Sequence, residues 1–317
     1  MTTKVDVLIL GGGPAGLACA SGLVRQLHSA IVFSDGVYRN ARTAHMHNVV
    51  GWEHADPASF RAKARADLLA RYDTVQFRDV GVRHIRKLES GRFEAEDAEG
   101  VTYEGRKVVL ASGTRDLPPS IPGYAELWGR GIFHCLFCHG YEERGASSAG
   151  VLALGLMASP AFAPAVSRMA ARLAGSVTVY TNGDAALGAQ LRAALKSTSK
   201  FRVENRKVSK LAKDPAVEGE AGLLVTLEDG TVLREGFLAH VPNFELNGPF
   251  AKELGVELTP QGHIDAQPPF FSTSVPGVYA AGDCATMMKA VPVATMMGSS
   301  VAAGLAHALQ AEDDVEE

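Results

Sequence analysis

The chain opens with VDVLILGGGPAGLACASGLVRQL, residues 5 to 27, and few other stretches restrict a fold so tightly. An apolar run of six residues reads as a buried strand, and the run after Pro14 reads as a helix. Between them Gly11, Gly13 and Gly16 form G-x-G-x-x-G, with Pro14 and Ala15 filling the turn. Gly11 permits the tight turn, Gly13 lets backbone approach a pyrophosphate, and Gly16 lets helix and strand pack closely. The helix N-terminus favours the anion. Asp35 lies 19 residues past Gly16, at the end of the next apolar run, AIVFSD. A carboxylate there accepts the hydroxyls of an adenosine ribose. A bare structural turn would not require strand, glycines, helix and acid in this register. The stretch predicts dinucleotide binding.

Further apolar runs alternate with helical ones. KVVLASGT reads as a buried strand ending in small residues; AGVLALGL and SVTVYTNG bracket the helix AFAPAVSRMAARLA. GLLVTLEDGTVLREG reads as a hairpin turning at Asp229-Gly230. GVYAAGDC and a helix from about Pro292 close the chain. Alternation of this kind predicts parallel α/β sheets. The expected fold is α/β, with two Rossmann-like, three-layer domains of nucleotide-binding type. GTRDLPPSIPGY, with three prolines, reads as a linker, and a second linker is expected near HVPNFELNG. The first domain then spans 1–118 and 244–317, interrupted by an inserted domain at 119–243.

Composition removes several classes of function. The 317 residues carry a net charge of −4 and no dense Lys/Arg tract, which argues against nucleic acid or an anionic membrane as partner. No run approaches the roughly 18 apolar residues of a membrane span, and the N-terminal run is too short for a secretory leader. Four cysteines do not make a disulfide scaffold. A cytoplasmic location is the expectation.

HCLFCHGYE, from His134 to Glu142, holds two of those cysteines, Cys135 and Cys138, with a histidine on each side. A zinc knuckle requires a second ligand pair, and Cys19 and Cys284 are single and distant. A static staple across two residues constrains little chain. A redox dithiol is the preferred reading, with no metal.

VYAAGDC resembles the second FAD fingerprint of flavin disulfide reductases, in which the aspartate, here Asp283 after Gly282, accepts from the ribityl chain. VVLASGT resembles the Ala-Thr-Gly segment of the same group, with Ala111 and Gly113 in place and Ser112 for threonine. Together with CLFC, these segments give the chain a resemblance to the low-molecular-weight thioredoxin reductases over nearly its whole length. The resemblance implies that architecture, a homodimer, and FAD held by Gly11, Gly13, Pro14, Ala15, Gly16, Asp35, Ala111, Gly113, Gly282 and Asp283. Asn48 matches a flavin-adjacent asparagine of the group. Cys138 would face the flavin and Cys135 the substrate. The last helix would aim its N-terminus at the flavin pyrimidine.

Two departures matter. Where those reductases place their NADPH glycine motif, this chain has LALGLMASPAFAP: Gly155 fits, but Met157 and Pro160 stand at the second and third positions. A methionine side chain is expected where backbone must meet phosphate. The following basic run is replaced by Thr181, Asn182 and Gly183, and Arg168 and Arg172 read as a solvated face. NADPH binding is not expected. The second departure is His139 in place of the acid after the second cysteine. Both departures resemble the gliotoxin-oxidase type of dithiol oxidase, from the biosynthesis of epidithiodiketopiperazines and related disulfide products. That resemblance implies oxidation of a small dithiol, with electrons passing from Cys135 and Cys138 to FAD and on to dioxygen, giving hydrogen peroxide. His139 and His134 are candidate bases, His139 preferred; Glu142 is a candidate to orient a histidine, and His45 and His47 are candidate wall residues. The competing reading is an NADPH-dependent disulfide reductase with an unusual nucleotide pocket.

Overall fold

A computed structural model describes residues 2–196 and 199–316. The chain divides into two compact units, one comprising residues 1–41, 49–115 and 245–317, the other 42–48 and 116–244. The short segment Arg42–Asn48 therefore groups with the second unit, whereas the sequence reading left it inside the first domain.

In chain order the first stretch contributes β1 (Thr3–Leu10), α1 (Pro14–Val24), β2 (Ala30–Phe33), α2 (Pro57–Arg71), β3 (Val75–Arg78), β4 (Val82–Lys87), β5 (Phe93–Asp97) and β6 (Thr102–Leu110). After β7 (Thr114–Leu117) come α3 (Tyr124–Leu127), β8 (Ile132–Phe133), β9 (Ala146–Leu152), α4 (Phe162–Leu173), β10 (Ala174–Tyr180), α5 (Ala185–Leu195) and β11 (Phe201–Glu204). Strands β12 (Val208–Lys213), β13 (Leu223–Leu227), β14 (Val232–Glu235), β15 (Leu238–Ala239) and β16 (Asn243–Leu246) follow. The chain closes with α6 (Phe250–Glu253), β17 (Val278–Ala280) and α7 (Val291–Glu316). The proline-rich linker is more ordered than expected, because β7 pairs with β16 as a two-stranded ribbon.

The first unit is built on a sheet of order β3-β2-β1-β6-β5-β4, with β17 added alongside the carboxyl half of β6. Strands β1, β2, β3, β17 and β6 run parallel, in the register Leu10↔Phe33 and Leu10↔Leu110. The pleat sends successive side chains of β1 to opposite faces. Val7 and Ile9 join one core with Leu17, Leu23, Val301 and Leu305 of α1 and α7. Leu8 and Leu10 join the other, with Phe33, Phe93 and Phe250. A strand covered on both faces must be apolar throughout, which is why VLIL shows no alternation.

The second unit repeats this plan. Its parallel sheet has the order β11-β10-β9-β15-β8. Val151, Val177 and Val179 pack beneath α4 and α5. Leu152, Tyr180 and Leu238 pack against the antiparallel sheet β12-β13-β14. Its β13–β14 hairpin turns at Gly230, whose φ is +84°.

Helices α1 and α7 approach almost backbone to backbone. A Cβ on Gly298 would lie 2.1 Å from the carbonyl oxygen of Ala15, and one on Gly22 would lie 2.5 Å from the Ala302 Cβ. Gly298→Val must force these helices apart. Overpacking of this kind costs about 1–3 kcal/mol, expected as a lowered urea midpoint; an unchanged midpoint would contradict the packing.

Candidate active site

The carboxyl ends of β1, β6 and β17 lie side by side, and each is followed by a candidate cofactor segment. A Cβ on Gly11 (φ +124°) would lie 2.2 Å from the Ala111 carbonyl oxygen, and one on Gly16 would lie 1.9 Å from that of Gly11. A Cβ on Gly13 would meet nothing within 4 Å. The three glycines thus do different work: two permit close packing, and Gly13 leaves an open cradle at the mouth of α1. Gly13 also brings no side-chain cap to that helix, and Pro14 and Ala15 form its first turn. These features fit a pyrophosphate at this edge of a parallel sheet.

Around the cradle the structure adds residues that sequence reasoning missed. Asp35 is exposed, and its carboxylate accepts from the Val37 amide at 2.9 Å. The residue abutting the glycine turn is Ser34, whose Cβ would lie 2.8 Å from a Cβ on Gly12. Its hydroxyl is 2.7 Å from that of Tyr38, whose ring lies under the Arg61 guanidinium. Asp283, after Gly282 (φ +83°), sits 3.6 Å from the Arg39 guanidinium. Gly113 (φ +70°) is fixed by Asn247, which donates to the Ser112 carbonyl at 2.9 Å. A register argument from the glycines points to the end of β2, but the twist of the chain there decides which of two neighbouring side chains turns toward the cradle.

In the second unit Cys135 and Cys138 form a disulfide. They follow β8, held in the sheet by Leu238 N–H donating to Gly131 and His240 N–H donating to Phe133. The Cys135 carbonyl accepts from both Cys138 and His139 amides, closing one helical turn that brings the sulfurs together. Phe137, between them, is 70% exposed. The other two cysteines are buried, which pushes Cys284 up to about 12 and Cys19 upward as well; neither is a thiolate near neutral pH.

The flanking histidines differ. A ring nitrogen of His134 and both sulfurs lie within 4.8 Å of one another. The Trp128 ring rests against this imidazole at 6.1 Å, itself stacked on Tyr124, whose hydroxyl is 2.7 Å from His240 Nδ1. His139 instead stacks on Phe133 at 5.1 Å and 11°, with His47 edge-on to it at 6.3 Å. Burial lowers the pKa of His139, His47 adds to that, and Glu142 opposes it. Of the two candidate bases, His134 has a ring nitrogen grouped with both sulfurs, and His139 is the one stacked on Phe133. His45 and Asn48 are exposed, Asn48 in the left-handed region at φ +60°.

The loop after β9 explains the broken glycine motif differently from the sequence. Met157 is fully buried in the core with Val166 and Leu187, so its side chain points away from any phosphate. The loop is instead occupied with itself. Gly155–Met157 forms a 3-10 turn, the Ser159 hydroxyl accepts from the amides of Ala161 and Phe162, and the Ser159 carbonyl accepts from Ala163. The Ala161, Phe162 and Ala163 amides at the start of α4 thus find their acceptors within the loop. Thr181, Asn182 and Gly183 form a structural turn: Thr181 donates to Asn205, and Asn182 accepts from the Val208 amide. Arg168 and Arg172 are exposed, Arg168 donating to the Ala194 carbonyl.

Parallel sheets in both units, an open glycine cradle on one and a disulfide at a strand end on the other define a disulfide oxidoreductase. The chain belongs to the pyridine nucleotide-disulphide oxidoreductase family, whose model matches residues 5–298. It is thioredoxin reductase-like: thioredoxin reductase aclD of Aspergillus oryzae is 46% identical over 306 residues, covering 96% of each chain. Thioredoxin reductase sirT of Leptosphaeria maculans is 40% identical over 95% of this chain and 93% of its own. Among solved structures, that of HlmI has a TM-score of 0.85 at 28% identity, over 100% of this chain and 96% of its own. Among the described residues no helix is long and apolar enough to cross a membrane.

Two predictions follow from this geometry. Met157→Gly empties core volume without freeing the loop's amides. It should destabilise the protein by about 2–5 kcal/mol and create no NADPH binding, as read by unfolding and by coenzyme titration. Burial holds His240 at about pH 4, below its unfolded value near 6.5. Its stabilising contribution is present above pH 6.5 and lost as pH falls toward 4, with a slope of about 1.4 kcal/mol per pH unit for one proton. Unfolding measured against pH should show that slope, flattened in His240→Phe.

Proposed function

We propose that the chain is an FAD-dependent dithiol oxidase that closes an intramolecular disulfide in a small molecule, as enzymes of the gliotoxin-oxidase type do. The observation that carries this reading is the pairing of a formed Cys135–Cys138 disulfide with a nucleotide loop whose amide donors are internally consumed. A dithiol centre without a seat for a nicotinamide donor receives its electrons from the sulfur side. The family relationship to fungal thioredoxin reductases such as aclD and sirT supports a redox role. A homodimer, with substrate between the Cys135 side and the Arg42–Asn48 segment, completes the proposal.

FAD is proposed to rest on Gly11, Gly13, Pro14, Ala15 and Gly16, with Ser34, Asp35, Ala111, Gly113, Gly282 and Asp283 around it and Asn48 near the flavin. When bound it would supply a two-electron acceptor that passes its electrons to dioxygen, giving hydrogen peroxide. The chain's own residues perform the sulfur chemistry. An incoming thiol of ordinary pKa near 8.5 is only a few per cent thiolate at pH 7, and His134 takes its proton. The thiolate attacks Cys135, forming a mixed disulfide and releasing Cys138 as a thiolate. The substrate's second thiol then attacks the first sulfur, and its proton passes to the departing Cys135. The substrate has lost two electrons and two protons: both electrons rest on the cysteine pair, one proton on Cys135, and the other on His134, with Cys138 held as the thiolate. His139, stacked on Phe133 with its pKa lowered by burial, is not the base in this proposal.

The reductase reading makes the opposite forecast, so one experiment divides them. Oxygen uptake with a panel of small dithiols, with peroxide assayed, should proceed without NADPH and fall at least 100-fold in Cys138→Ser. Rapid anaerobic bleaching of the flavin by NADPH, with no oxygen uptake from dithiols, would sink the oxidase reading.

A further inference from the structure

The segment Arg42–Asn48 is tied to the second unit at two places. Arg42 donates to the Ala125 and Glu126 carbonyls at the end of α3. At its other end, His47 reaches the disulfide turn: Nδ1 lies 2.8 Å from the Cys138 carbonyl oxygen, and Nε2 lies 3.4 Å from a Glu142 carboxylate oxygen. A carbonyl only accepts, so Nδ1 carries a hydrogen. A carboxylate also only accepts, and the protonated imidazole is the form that donates toward both acceptors and pairs with Glu142. The His47 side chain is 14% exposed, and water screens the pair only partly.

Resting on the oxidase reading, we propose that His47, held by Glu142, is a positioning residue that stabilises the Cys138 thiolate and makes the Cys135–Cys138 pair a stronger oxidant. When a substrate thiolate bonds to Cys135, the Cys135–Cys138 bond breaks and its electron pair stays on Cys138. That negative charge forms on the residue whose carbonyl His47 holds, with Glu142 across the ring from that contact. A neighbouring cation lowers a thiol's pKa, and stabilising the reduced form raises the couple's oxidising power. His139 is adjacent in sequence but stacked on Phe133, and burial, with His47 adding to it, lowers its pKa. Sequence alone does not show the His47 contact, since 91 residues separate His47 from Cys138.

The test equilibrates the flavin-loaded enzyme anaerobically with glutathione redox buffers, traps thiols and measures the reduced fraction of the pair by mass. His47→Gln keeps a donor for the Cys138 carbonyl but no charge. Its equilibrium constant should shift about tenfold toward the disulfide, or about 30 mV for this two-electron couple. Glu142→Gln, on a half-exposed side chain, should shift it the same way by less, and the double variant no further than His47→Gln alone. An unchanged potential in His47→Gln, or an opposite shift in Glu142→Gln, overturns the proposal; if His47→Gln does not fold, the sign of the Glu142→Gln shift decides. Oxygen uptake by the unmodified enzyme with dithiols is the separate control: its failure removes the oxidase reading, whereas an unaltered potential removes only the role of His47.

Discussion

Everything in the first unit depends on how closely backbone approaches backbone at the carboxyl edge of its sheet. Gly11 against Ala111, Gly16 against Gly11, and Gly298 against Ala15 leave no room for a single Cβ. These contacts set the angle at which α1 leaves the sheet, and so where its N-terminal amides point. They also bring α7 alongside α1, so that one core covers this face from Val7 to Leu309. The glycine turn is at once a packing device and a cradle, because the same absence of side chains that allows close approach at Gly11 and Gly16 leaves open space at Gly13.

The second unit shows the same plan with a different loop after its strand β9. Its parallel sheet, crossover helices and two-faced core repeat the first unit's solution to burying apolar strands. Yet the loop at the end of β9 folds into a 3-10 turn capped by Ser159, and the residue at the altered glycine position, Met157, serves the core. A helix start can serve an anion or its own side chains, and here it serves the latter. What the unit contributes instead is the disulfide after β8, set where a short parallel strand ends beside partly exposed aromatic and imidazole rings.

Among these rings, burial and hydrogen bonding sort three histidines into different environments. His134 reaches both sulfurs, His139 is stacked and kept neutral, and His47 spans a carbonyl and a carboxylate. A fourth, His240, is buried and holds Tyr124 behind Trp128. One residue type thus stands in four different environments within a single unit.

The amino-acid sequence by itself determined the α/β class, the glycine turn and the close spacing of two cysteines. Each of these is written in local spacing, where period, glycine placement and the two-residue gap between cysteines carry the physics. The different surroundings of His134 and His139 were not legible, because two histidines flanking one pair are equivalent until β8 and Phe133 fix their directions. Nor was the packing of Ser34 against the glycine turn, or the place of Met157 in the core, since both turn on which way a side chain points after a strand ends. His47 meets Cys138, and Asn247 meets Ser112, only through contacts between residues far apart in the chain. Tertiary structure decided those, because direction and long-range proximity are products of packing and have no period to read.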